Sequence, residues 1–591
     1  MLNKIKYIFV LLFVVLATAA FAQRDTSLTR EVEVTKAFKP TLINANKINE
    51  MPEIDETEHQ KPVFDYSIYS QPILNTVSVT QLKAATIDNS KKKDTGIGLV
   101  RVGVGNYNKP YGEFFFNNLI SKNSVFGVHV KHLSSFGKVT LDGGDKVDAP
   151  FAKNEAEVFY KYNYSKSVLS VNADYNHDRF NYYGYPEVAI PGLLLDENQN
   201  YTYQGTKQTF SKGGINVSFK NPTAEMDDPV FNFNVKYHFF KTYTNQCEHF
   251  GEFDMDFQKP LDNSTILVDG GALYVQANNI YNRTQAITGN RGQTWVFAKP
   301  AWYYAGKIAS VRAGFNAWFI MDNDMDAIAK VAPNVRVDFT PVKDIISIYA
   351  GVDGNYINNH YSKIAYENPF VDPTHDVKNS FEKIHFYGGF DGKLSKKTNF
   401  KISVDYSLID DQPLYYLNEI YTNSTPSQLV VNNAFDILYD NLNLLKLNFE
   451  IFHTSSEKLN LLLSGNYYGY DLDEQAEAWN MPRWDATVSA DYKITEQLSV
   501  GADIYLIGER KALTVQPGAP PNVMTFAPVA PIKKTYNLDT VFDLNLNAIY
   551  KITQKFSAFG QLNNFGFQKY QRWLGYNVQS FNVLLGVSYA F

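Results

Sequence analysis

Residues 581–591 read FNVLLGVSYAF. The odd positions are Phe581, Val583, Leu585, Val587, Tyr589 and Phe591, and the even ones are Asn582, Leu584, Gly586, Ser588 and Ala590. Successive side chains of a strand point to opposite faces, so this stretch is a strand with one apolar face and one mostly small or polar face. Working outward, the pattern recurs. Phe400, Ile402, Val404, Tyr406 and Leu408 oppose Lys401, Ser403, Asp405 and Ser407. Phe542, Leu544, Leu546, Ala548 and Tyr550 oppose Asp543, Asn545 and Asn547. Trp484–Tyr492 and Ala156–Tyr164 alternate in the same way.

A soluble sandwich also alternates, but it rarely strings together so many long strands with almost no helical signal. In a transmembrane barrel the apolar face meets lipid, the other face meets the lumen, and strands of about 9–11 residues cross the tilted path. Closure leaves no backbone edge unpaired in hydrocarbon. The chain has 40 Tyr and 42 Phe yet is polar on average. That composition suits a wall wetted on one face and greased on the other. The sequence therefore predicts an all-β fold, a transmembrane antiparallel β-barrel of about 22 strands (roughly 18 to 24), spanning 97–591.

A repeated phrase fixes the turns. DYKITEQLSVGADIY starts at Asp491 and IYKITQKFSAFGQLN at Ile549. Each reads as a strand end, a short polar turn and a new strand. Tyr492 and Tyr550 then become periplasmic girdle residues, with the ring in lipid and the hydroxyl in water. Short turns are also expected at 340–343, 393–396 and 454–457. The intervening connections, 358–381, 411–435, 471–482, 508–537 and 564–577, are longer and belong on the opposite side.

The N-terminus differs. Lys4 and Lys6 precede an apolar run from Ile8 to Ala20, and Ala20-Phe21-Ala22 gives a small-x-small site. Residues 1–22 thus read as a signal peptide cleaved between Ala22 and Gln23. Residues 23–96 carry Pro40, Pro52, Pro62 and Pro72 and an acidic cluster from Glu50 to Glu58. They read as a short periplasmic tail or a luminal filler. Cys247 is the only cysteine, which excludes an internal disulfide and thiolate metal clusters. Net charge is −6 with both signs well mixed, so nothing points to nucleic acid.

The barrel resembles the TonB-dependent receptor-like outer-membrane proteins. The likeness covers 97–591 and rests on the strand count, on LLGVSYAF and on QLNNFGFQKYQRWLGYNVQSFNVLLGVSYAF, which looks like the closing hairpin of those receptors. It implies the cell outer membrane, with lipids and lipopolysaccharide as surroundings. It implies that Val583, Leu585, Val587, Tyr589 and Phe591 are read by the barrel-assembly machinery. Glu31-Val32-Glu33-Val34-Thr35 is similar to the box by which such receptors meet TonB through strand addition. Residues 23–96 show no pattern of the larger globular plug those receptors carry, so the periplasmic partner is TonB or another protein.

Other motifs have plain readings. NYYGY at 181–185 and again at 466–470 reads as outer girdle aromatics, with sugar-stacking platforms as the sharper alternative. Asp322, Asp324 and Asp326 have calcium-loop spacing but lack the glycine and closing glutamate. Ten scattered histidines form no local catalytic or metal motif. No catalytic residue, cofactor or metal is expected. The expected function is transport of a solute across the outer membrane, as receptor or channel. The alternatives are a non-transporting scaffold subunit of an envelope complex and, last, a barrel enzyme.

Overall fold

The computed structural model describes residues 97–591, apart from 145, 185–206, 222–227, 283–286, 324–325, 344, 374, 419–432, 457 and 517–531. The expected cleavage site at Ala22 and Gln23, the segment 23–96 and its Glu31–Thr35 box lie outside the described residues. One sheet holds 24 strands. Two of them, Arg510–Gln516 and Ile532–Leu538, form a side hairpin. The other 22 close an antiparallel barrel in which the chain runs around the ring in order.

The ring shuts where the first strand, Gly98–Gly105, pairs antiparallel with the last, Asn582–Ala590. The register runs from Leu99↔Ala590 to Gly105↔Leu584. Phe591 finishes this seam. Its N–H donates to the Gly98 carbonyl at 3.0 Å and its carbonyl accepts from Ile97 N–H at 2.7 Å. Its ring lies over Gly98, where a Cβ would stand 2.2 Å from Phe591 Cζ. Only glycine leaves room for that ring.

The alternation holds on both faces. Val104 is 70 % exposed, and Leu585, Val587, Val404, Tyr406, Phe542 and Val337 are exposed apolar groups on the outer wall. No water-facing surface keeps an apolar belt of this kind, and the closed ring has no edge in lipid. The barrel is an outer-membrane one. The two seam strands and Phe556–Asn563 beside them are 8 to 9 residues long. Thr398–Asn418 and Phe435–Ser456 reach 21 and 22. That is about twice the 9–11 a bilayer needs, so one end of this wall rises well clear of the membrane.

The repeated phrase is one turn built twice. Thr495 Oγ1 accepts from the N–H groups of Gln497 at 3.2 Å and Leu498 at 3.0 Å. Thr553 Oγ1 accepts from Lys555 at 3.2 Å and Phe556 at 3.0 Å. A hydroxyl capping two turn amides explains why threonine stands at that place in both copies. Tyr492 and Tyr550 sit exposed on the outer wall just before these turns. The turns that follow Val342, Ser395, Ser456, Lys493 and Lys551 lie at one end with both ends of the described chain. The long connections 358–379, 473–483 and 564–581 lie at the other, where 106–108 and 243–246 are tight as well. In barrels of this type the long loops face outside the cell.

That orientation gives a direct expectation. In a Cys247→Ser background, cysteines at Glu496 and Gln554 should stay unlabelled by a membrane-impermeant thiol reagent on whole cells. A cysteine at Lys533, exposed in the side hairpin, should label. The reverse pattern would invert the barrel.

Candidate functional site

The loop end of the barrel carries a hydrophobic core of its own. Tyr182 follows the fifth strand of the ring, and Phe210 and Phe240 stand at the outer ends of the sixth and seventh. Tyr415, Leu417 and Phe435 come from the fifteenth and sixteenth, on the opposite side. Residues of opposite walls can share one core only if the loops between them bridge the mouth.

Three loop pieces make the bridge. The first is the connection 358–379, which holds the helix Tyr361–Glu367. Tyr361, Ile364 and Ala365 lie on its buried face at 1–2 % exposure, and Val371 beyond it is fully buried. The second is the side hairpin, whose Leu417↔Thr514 and Asn418↔Val515 pairs extend the tall fifteenth strand in parallel. The third is the small hairpin around Gln571–Asn577, which brings in Trp573, Leu574 and Tyr576.

Polar groups stitch these pieces together. Tyr361 Oη donates to the Val371 carbonyl at 2.9 Å. Tyr576 Oη donates to the Asn433 carbonyl at 2.7 Å, and Asn433 Nδ2 donates to the Tyr182 carbonyl at 2.8 Å. Tyr183 Oη donates to the Asn577 carbonyl at 2.8 Å. The Phe370 and Tyr576 rings stack at 3.6 Å. Phe435 N–H donates to the Phe370 carbonyl at 2.8 Å and its carbonyl accepts from Asp372 N–H at 2.9 Å, a single parallel bridge across Val371 and Phe435. The Arg510 guanidinium donates at 2.6 Å to the carbonyls of both Gln571 and Arg572. Its burial lowers its pKa to about 10, which still leaves it charged at neutral pH. Arg291 ties the 358–379 connection to the wall through Asp376 and the Val377 carbonyl.

Each fully buried Leu, Ile, Phe or Val side chain is worth roughly 1.5–3 kcal/mol. The core and its bonds therefore form a folded cap rather than a fringe of separate loops.

Below the cap the inner wall is polar. His385 sits between Asp353 at 2.9 Å and Asp405 at 3.2 Å. Arg336 holds Asp338 at 2.7 Å, with the Tyr349 and Tyr387 rings 4.6 and 5.8 Å from its guanidinium. Glu113 accepts from Arg101 at 3.3 Å and meets His129 at 3.0 Å. A recess of about 340 Å³ on this wall is lined by His129, Glu155, Glu157, Asn172, Asp174 and Asn216. A solute passing here would meet paired charges and amides, not a greased channel.

Several sequence readings now have a place. Val583, Leu585, Val587, Tyr589 and Phe591 lie along the seam strand. In the first NYYGY, Tyr182 and Tyr183 build the cap and do not face lipid; Tyr185 lies outside the described residues. In the second, Tyr467 is exposed on the outer wall. Tyr468 and Tyr470 share the inner face and stack at 6.0 Å, and Tyr470 Oη donates to the Pro482 carbonyl. Asp322 of the calcium-like spacing accepts from Arg291 and Gln293 instead. Sequence reading missed one group altogether. His238 and Glu248 of two adjacent strands meet His360 of the loop, with one donor atom from each within 4.8 Å of the others. Burial lowers the His360 pKa to about 3, so its imidazole is neutral. No local motif could have revealed three residues on three separate elements.

No protein-family model matches the chain, and no curated protein matches it in sequence. Solved structures do. The ferripyoverdine receptor of the outer membrane of Pseudomonas aeruginosa, bound to ferripyoverdine, superposes with TM-score 0.60 at 12% identity, over 85% of this chain and 72% of that one. The FrpB iron transporter of Neisseria meningitidis gives 0.61 at 10%, over 84% and 82%. The ferric-catecholate import receptor Fiu of E. coli K12 gives 0.57 at 10%, over 85% and 82%. The barrel fold is that of the TonB-dependent outer-membrane receptors. At these identities the likeness is one of fold. The resemblance expected over 97–591 thus holds at the level of the barrel fold.

Proposed function

We propose that this receptor-type barrel transports a solute across the outer membrane through a gated outer mouth and carries no catalytic activity. The observation that supports this best is the cap, a loop-built core joining opposite walls above a polar lumen. An open porin would leave its mouth clear. A gated receptor needs loops that hold one closed packing and can repack, and discrete packed cores behave as two-state elements. The fold is shared with proteins described as import receptors and an iron transporter, which favours transport over catalysis. The cargo of those proteins does not carry over.

Residues 1–22 direct export on this reading, and 23–96 form a periplasmic tail or fill the lumen from the periplasmic side. The Glu31–Thr35 box pairs there with TonB by strand addition, and TonB drives the opening. Assembly in the membrane depends on the seam strand ending at Phe591. The test is at Val34. Proline cannot donate within an added strand. Val34→Pro should abolish disulfide cross-linking between a cysteine at Glu31 and one in TonB while the barrel stays folded and heat-modifiable. Cross-linking at the parental level would remove TonB from the scheme.

A second reading is favoured by the same cap. Its side chains are buried as deeply as those of a permanent core, as expected of a sealed scaffold in an envelope complex. Co-purification of a stoichiometric partner with a barrel that never conducts would support it.

A further inference from the structure

We propose that His238, Glu248 and His360 form a binding site for a divalent transition-metal ion of the zinc class, one that pins the outer loop to the barrel wall. This goes beyond transport and does not depend on it.

The donor set is the first observation. Two imidazole nitrogens and a carboxylate oxygen lie within 4.8 Å of one another. In a tetrahedral zinc site, bonds of about 2.1 Å put donors about 3.4 Å apart. Side-chain adjustments of about 1 Å would close the present set onto an ion. Among candidate metals, nitrogen and oxygen donors of this kind suit zinc and its neighbours rather than calcium or magnesium.

The second observation is what the donors lack. His238 Nε2 and His360 Nδ1 are both buried with no hydrogen-bond partner. Buried polar atoms are almost always satisfied, so two orphan imidazole nitrogens in one cluster need an explanation. His360 precedes the helix Tyr361–Glu367 at its N-cap but makes no capping bond with its side chain. The rings are instead held by packing. His238 stacks on Phe250 at 4.6 Å, and His360 meets the edge of the same ring at 5.0 Å. Glu248 is wholly buried, with Ser362 as its hydrogen-bond partner: the hydroxyl donates at 2.7 Å and the backbone N–H reaches it at 3.4 Å. Those bonds orient the carboxylate in the way outer partners orient metal ligands. Lys212 acts electrostatically on all three groups. It supplies some countercharge to Glu248 but leaves both imidazole nitrogens unpartnered.

The third observation is room. Two of the three donors, Glu248 and His360, line a cavity of about 40 Å³ with Gln246 beside them, and His238 stands outside that lining. That volume is space for a water molecule. Three protein donors with a water in the remaining position make a complete four-coordinate zinc site.

The consequence is mechanical. His238 and Glu248 belong to the wall, whereas His360 begins the helix at the heart of the cap. An ion joining them would fasten that helix in its closed position.

The experiment uses the full-length, untagged barrel in detergent, carrying Cys247→Ser so that the thiol near His249 cannot compete. Zinc is titrated by calorimetry, and cobalt by its visible absorption. One zinc per chain is expected, with slower hydrogen exchange over 360–367 when it binds. His238→Gln and His360→Gln should each weaken zinc by more than about a hundredfold, beyond the 10–100-fold typical of outer-shell changes. Folding is checked by heat-modifiable migration. His360 stands on a loop, so that variant keeps the test valid if His238→Gln misfolds. No saturable zinc binding would overturn the proposal and leave the cluster bridged by water. So would binding that both substitutions leave intact, which would place the ion on other histidines.

Discussion

Phe591→Ala should strip the outer membrane of most of its folded barrel. The residue ends the lipid-side row of the last strand, and its backbone bonds to Ile97 and Gly98 at the seam. Its ring is only partly buried. Truncating a fully buried Phe costs about 3–5 kcal/mol, so a ring half in lipid is worth less than that. A loss of several-fold in cellular yield with only a modest fall in thermal stability after refolding in detergent would therefore mark recognition during assembly. Yield would be read as heat-modifiable migration on a gel. Equal losses in the cell and in the refolding tube would mean that Phe591 is seam packing alone.

The second large effect concerns the cap. Replacing 358–379 by a short glycine-serine linker removes Tyr361, Ile364, Ala365 and Val371 from the core. It also strands Phe435 and Tyr576, which pack against that segment, and frees Arg291 from Asp376. At roughly 1.5–3 kcal/mol for each large apolar side chain, the remaining loops cannot hold the closed packing. The replacement combined with deletion of 24–90 should make cells sensitive to large antibiotics that the parent excludes. Deletion of 24–90 alone should not, because the cap still spans the mouth. Equal resistance in the double variant would mean that neither part closes the barrel.

The wall was legible in the sequence and the cap was not. Strand alternation has a period of two residues, so Val404 and Tyr406 against Ser403 and Asp405 declare both faces locally. The YKIT phrase gave the turns because one threonine hydroxyl does the same work in each copy. Parity then set which ends were turns and which were loops. The cap obeys no period. Tyr182 meets residues near 370 and 433, its neighbour Tyr183 meets Tyr576, and no spacing relates those positions. The first NYYGY shows the cost of local reading. Its aromatics looked like girdle residues, yet Tyr182 and Tyr183 are held by groups from far along the chain. The His238, Glu248 and His360 cluster was hidden for the same reason.

Packed loops close the outer mouth on this reading, and it opens only when they rearrange. Planar-bilayer conductance of the full-length barrel tests it most directly, compared with the variant that combines the 358–379 linker and the 24–90 deletion. The intact barrel should stay closed, and the variant should open a large, stable conductance. A wide, steady conductance from the intact barrel would contradict it.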